Sequence, residues 1–224
     1  MKKVFLTFIG VVSSLGFGYT FDANVPAELK KQITSDLAFI GSIEGGKGSA
    51  LHEKIFGNVD GEIYSKFFGD RVTSIGMNSC GGNAKAVACV IPFLGSSKVW
   101  LTNNYTKFDH PLMAKMMVVF HESRHTEVKN GNWSHATCPK PFINPETNEE
   151  MVSIFTGATL AGEPACDKTA LGSYGSSQIM MKNIQKFCTN CTDKVKMDAG
   201  LYGDDQLGRM LGAAKTDIQK DLAR

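Results

Sequence analysis

Residues 112–125 read LMAKMMVVFHESRH, and both the fold and the chemistry of the chain turn on this stretch. Leu112, Met113, Met116, Met117, Val119 and Phe120 run almost all round a helix, the pattern of a helix buried on every side. The stretch ends in His121, Glu122, Ser123, Arg124 and His125, which is HExxH. On a helix, positions i and i+4 lie one above the other, so both imidazoles reach one point with Glu122 beside it. Polar groups at the end of a buried helix need partners, because burying them unpaired costs free energy. A Zn²⁺ ion held by His121 and His125 supplies such a partner. Asp109 is read as the cap of this helix and Pro111 as part of its first turn, and the helix is expected to end near Asn130 and Gly131.

The rest of the chain sets the context. Lys2 and Lys3 precede an apolar run over 4–12 that continues into Ser13, Ser14, Gly16 and Gly18, so residues 1–20 read as a signal peptide. The cut is expected between Gly18 and Ala23. The apolar run is too short and too rich in Ser and Gly for a membrane anchor, which makes the protein secreted or periplasmic. Residues 21–224 are enough for a single domain with a sizeable core. A net charge of +2 with scattered Lys and Arg excludes nucleic acid as a natural partner. Six Cys in an exported chain favour disulfides. Cys80 is expected to pair with Cys89, and Cys138 with Cys166. Cys188 and Cys191 form a CxxC that follows a helical stretch, whereas redox CxxC motifs open a helix after a strand, so a structural disulfide is expected there.

Periodicity predicts a helix over 26–43 with Leu29, Ile33, Leu37 and Ile40 on one face, and short helices over 50–56 and 61–68. Strands are expected over 71–77, 89–93 and 98–102, with mostly strands before the motif and helices again after Gly175. His52 reads as a surface histidine. The fold class is α+β: one domain with a small mixed sheet, a buried HExxH helix and a helical C-terminal part, stabilised by disulfides.

Over 113–127 the chain resembles the zincin metallopeptidases, whose shared unit is an HExxH helix packed under a sheet with an edge strand along the cleft. The strand 98–102 stands in the right order to be that edge. The resemblance implies that His121 and His125 are zinc ligands and that Glu122 activates the zinc-bound water for attack on a peptide carbonyl. The third ligand is open. The metzincin pattern HExxHxxGxxH needs Gly at 128 and His at 131, where this chain has Val128 and Gly131. Glu163 and Asp167 have the ExxxD spacing of gluzincins, provided Pro164 sits in the first turn of a second helix. Asp167 also precedes Tyr174 and Gly175, which is similar to aspzincins but at a longer spacing. A Cys138–Cys166 bond draws Asp167 beside the segment carrying His135, which makes Asp167 the preferred third ligand, with Glu163 and His135 as alternatives.

Tyr174 reads either as a hydrogen-bond donor to a developing oxyanion or as a packed loop residue. Arg124 and Glu127 read as a structural ion pair, and Trp133 as cover for the core. The expected function is that of an exported zinc peptidase acting on a protein or peptide, peptidoglycan peptides included. The alternative is a secreted, non-catalytic binding or structural protein that keeps a metal or polar cluster.

Overall fold

The computed structural model describes residues 18–223 apart from 131 and 133, so most of the expected leader, Gly131 and Trp133 lie outside the described residues. The architecture is mixed α+β. Strand β1 (Thr20–Phe21) is followed by α1 (Ala27–Gly41), α2 (Ala50–Ile55), α3 (Gly61–Gly69), β2 (Ser74–Met77), β3 (Ala88–Val90), the single turn α4 (Pro92–Gly95), β4 (Lys98–Leu101), the single turn α5 (Asn104–Lys107) and the motif helix α6 (Leu112–His125). After it come β5 (Ala136–Thr137), β6 (Pro164–Cys166), α7 (Ser173–Phe187), α8 (Asp193–Gly208) and α9 (Ala213–Leu222).

The first four strands form one sheet in the order β1-β2-β4-β3, with β1, β2 and β4 parallel and β3 antiparallel to β4. Helix α6 packs against β3 and β4 on one side and against α1, α7 and α8 on others. Every residue from Met113 to His125 is buried, as the all-round apolar pattern requires. Leu29, Ile33, Leu37 and Ile40 of α1 are buried at the expected spacing. Tyr64, Phe67 and Phe68 of α3 close round Phe120, with ring centroids 5.8–6.2 Å away. Asp60 starts α3 by accepting from the amides of Glu62 and Ile63. All three expected disulfides are present, Cys80–Cys89, Cys138–Cys166 and Cys188–Cys191.

Several expectations are corrected. The three helices expected before the motif are present, but they hold more residues than the strands there, so that region is not mostly strand. The strand expected over 89–93 stops at Val90, because Pro92 opens the turn α4. Pro111, not Asp109, is the N-cap of α6, and exposed Asp109 instead lies 3.7 Å from the buried Lys115 amine. The edge strand beside α6 is β3 and not 98–102, since β4 is paired on both sides. Thr20 and Phe21 pair with Ser74 and Ile75, so part of the window in which the leader was expected to end belongs to the sheet.

His52 is also buried, with no exposed surface. Its ring joins the Gly57 carbonyl (Nδ1, 2.8 Å) to the Tyr64 hydroxyl (Nε2, 2.7 Å), two partners set by the return of the chain from α2 to α3. Burial depresses its pKa to about 4. Since the unfolded value is higher, the unfolded chain takes up the proton first, and the contribution of this group is complete above pH 6.5 and lost as pH falls toward 4. The loss is about 2 kcal/mol at pH 5.0. Replacing His52 by Gln should cost about 1–3 kcal/mol at pH 7.5 through imperfect hydrogen bonding. Denaturant titration should show the gap between wild type and His52→Gln narrowing by about 2 kcal/mol at pH 5.0; an unchanged gap would mean that His52 titrates normally.

Candidate metal centre

The last turn of α6 delivers His121 and His125 one above the other, and a loop after it returns His135 to meet them. Their Nε2 atoms lie 3.1 Å (His121–His135), 3.1 Å (His121–His125) and 3.0 Å (His125–His135) apart. The outer nitrogens fix what these contacts can be. His125 Nδ1 donates to the Asn132 carbonyl at 2.6 Å, and His135 Nδ1 donates to Asp167 Oδ1 at 2.9 Å. A carbonyl and a carboxylate only accept, so in the neutral rings the proton sits on Nδ1 and Nε2 presents a lone pair. Burial pushes the His125 pKa down to about 3, and burial followed by the neighbouring His125, His135 and Arg209 holds His121 well below the ordinary value. With all three rings neutral, at most one N–H, from His121, is available to three nitrogens that all face one point. That arrangement suits a cation.

The donor set fits a metal ion in spacing as well as in kind. Nitrogens bound tetrahedrally about 2.0–2.1 Å from a zinc ion stand about 3.3–3.4 Å apart, within a few tenths of an ångström of the separations here. The three His residues form the one group of metal-ligating side chains with this proximity among the described residues.

Glu122 completes the picture. It is 5% exposed, its Oε2 has no hydrogen-bond partner, and burial raises its pKa to about 8. A cation at the histidines would draw that value back down. His121, Glu122, His125 and His135 line a cavity of about 280 Å³ whose walls are the edge strand region 86–90, the segment 153–165, Tyr174 and Arg209. A carboxyl oxygen without a partner beside three converging imidazole nitrogens, both opening on one cavity, is an arrangement that could hold a metal ion.

Asp167 lies behind His135. Its Oδ1 takes the His135 N–H and its Oδ2 takes the Tyr174 amide at 2.8 Å, so both oxygens are engaged away from the three Nε2 atoms. The Cys138–Cys166 bond and the pairing of β5 with β6 bring these segments together, as expected, but His135 takes the position for which Asp167 was preferred. Gly172 permits the approach, since a Cβ there would stand 2.5 Å from Asp167 Oδ2. Glu163 stands at the cavity rim and binds Lys85 at 2.6 Å. It and Asp167 bracket strand β6, so the second helix that the gluzincin spacing requires does not form and Pro164 begins a strand instead.

Tyr174 sits in the first turn of α7, stacked on His135 with centroids 4.4 Å apart and 4.4 Å from the His121 ring. Arg124 and Glu127 form the expected ion pair at 2.6 Å, extended by Arg71 at 2.7 Å. Sequence reasoning did not find Arg209 or the carbonyl of Asn132, because no local pattern marks a helix-end arginine 84 residues downstream of the motif or a backbone acceptor in a turn.

No family model matches the chain, and no curated protein or solved structure matches it either.

If His135 rather than Asp167 faces the metal, His135→Ala should abolish stoichiometric metal binding. Asp167→Asn should weaken it about 10–100-fold, the usual effect of a residue that orients a ligand. Chelator competition on the purified variants measures both; full occupancy in His135→Ala with none in Asp167→Ala would reverse the order.

Proposed function

We propose that this chain is an exported zinc-dependent peptidase of zincin type. The observation that carries the reading is the meeting of three imidazole lone pairs beside a buried carboxyl oxygen that has no partner. His121, His125 and His135 would hold the zinc, and zinc so held acidifies a water and polarises a carbonyl. Asp167 keeps His135 in the tautomer that offers Nε2, and the Asn132 carbonyl does the same for His125.

Glu122 is the general base. Its Oε2 takes a proton from the attacking water as the water oxygen bonds to the carbonyl carbon and the π pair moves onto the carbonyl oxygen. When the tetrahedral species collapses, the C–N bond breaks and the nitrogen leaves with the proton that Glu122 held. Tyr174, lining the same cavity, donates to the carbonyl oxygen as it gains negative charge.

Peptide as substrate is supported by β3. It is antiparallel to β4, has no strand on its other side among the described residues, and runs along the cavity. An extended peptide laid against such an edge gains main-chain hydrogen bonds and brings successive carbonyls past one point. Export is supported by the leader-like residues 1–20 and by the three disulfides, and no helix among the described residues is long and apolar enough to cross a membrane.

Zinc-loaded protein should cleave unfolded protein, a mixed peptide library or peptidoglycan stem peptides. Glu122→Gln should keep its zinc and lose at least about 10²-fold in turnover. A zinc-loaded wild type that cleaves none of these, or a Glu122→Gln variant as active as wild type, defeats the peptidase reading and leaves a binding protein.

A further inference from the structure

Arg209 is a buried cation beside the proposed zinc site that the hydrolytic scheme does not use. It ends α8, is 6% exposed and lines the cavity. Its Nη1 lies 3.1 Å from the Tyr174 hydroxyl, and its guanidinium carbon 5.0 Å from the Tyr174 ring. Asp205 Oδ2 stands 3.4 Å from its Nε, near enough for an ion pair although not aligned as a hydrogen bond. Its own carbonyl accepts the Asp167 amide at 3.1 Å, so Arg209 is tied to the segment that orients His135.

A guanidinium has five donors and no acceptor. In the bond between them, therefore, the Tyr174 oxygen must be the acceptor, and the single phenolic proton is not consumed by it. Among the described residues that proton meets no acceptor. The rest of Tyr174 is fixed: Asp167 holds its amide, and the ring is stacked against His135. With the oxygen held from one side by Arg209, rotation about the C–O bond is limited and the proton is directed elsewhere.

We propose that Arg209 is a positioning residue, which grips the Tyr174 hydroxyl by its oxygen so that the phenolic proton is presented to an anionic oxygen bound in the cavity. This rests on the hydrolase reading and adds to it the place where negative charge is received. The ligand chemistry selected is a tetrahedral oxyanion next to the metal, the species formed when water adds to an amide carbonyl. Donors that are already oriented act on such charge without reorganising, and a buried guanidinium polarises the hydroxyl in the direction that strengthens its donation. Asp205 stands on the Nε side of the guanidinium, and Tyr174 is held by Nη1.

The test uses the zinc-loaded protein and phenylphosphonate, a tetrahedral anion, with affinity measured by calorimetry. Tyr174→Phe and Arg209→Met should each weaken phenylphosphonate about 10–100-fold, the effect of one hydrogen bond to a charged group. The double variant should be no weaker than Tyr174→Phe alone, and zinc affinity should stay within about twofold in all three. With a cleaved peptide, both single variants should lower kcat with KM unchanged.

Three results would overturn the proposal. Wild-type affinity in Tyr174→Phe does so, and it decides the matter even where Arg209→Met does not fold. A loss in Arg209→Met as large in the Tyr174→Phe background as in wild type means that Arg209 meets the anion directly. Wild-type affinity in a folded, zinc-loaded Arg209→Met removes its role altogether. By contrast, a wild type that binds no zinc or cleaves nothing counts against the hydrolase reading itself.

Discussion

The Asp167 carboxylate is the constraint on which the site depends. One oxygen takes the His135 N–H and the other takes the amide that begins α7, so a single side chain sets the tautomer of an imidazole and the entry of a helix. The Cys138–Cys166 bond holds Asp167 within reach across the long insertion between β5 and β6, and the backbone of residue 167 pairs with the segment at the end of α8 through Arg209 and Leu211. His135, Tyr174 and Arg209, which approach the cavity from three parts of the chain, are thereby referred to one fixed point. The two histidines of the motif helix are brought together by helical geometry, and the Asn132 carbonyl fixes the tautomer of His125.

Charge explains why so many ionisable groups are tolerated in the interior. Without a cation at the histidines, burial favours the protonated form of Glu122 and the neutral forms of His121 and His125. With a dication there, the positive charge of the ion and of Arg209 faces the carboxylates of Glu122, Asp167 and Asp205. Buried charges are retained where they are paired in this way, and removing one member leaves its partner uncompensated. A metal ion bound there would thus belong to the electrostatic balance of the core. Metal-free protein is accordingly expected to be the less stable form, since whatever binds the folded state alone shifts the folding equilibrium toward it.

What the sequence made legible follows from how local each determinant is. The burial of α6, the amphipathic face of α1 and the pairing of HExxH residues are decided within a few turns, and residues 112–125 carry them all. The disulfides were legible from compartment and spacing, and they placed Asp167 beside His135. Which of the two turns toward His121 and His125 was not legible, because it depends on ring orientation set by the Asp167 oxygens. His52 was hidden for a similar reason, as its partners Gly57 and Tyr64 are chosen by a turn between helices. The edge strand was misplaced because it was chosen by its order in the chain before the motif, while the order of strands within a sheet is a long-range property that chain order does not encode.

That order matters for the cavity. With β4 interior and β3 at the edge, the open backbone of the sheet lies beside the HExxH turn of α6 instead of one strand away from it. The Cys80–Cys89 bond anchors the start of β3, and the insertion closed by Cys138–Cys166 supplies the opposite wall. Lys85 and Glu163 join the two walls at the rim, an ion pair of two partly exposed groups and therefore weak. Each wall is thus crosslinked within itself, and across the mouth the two are joined by the Lys85–Glu163 ion pair.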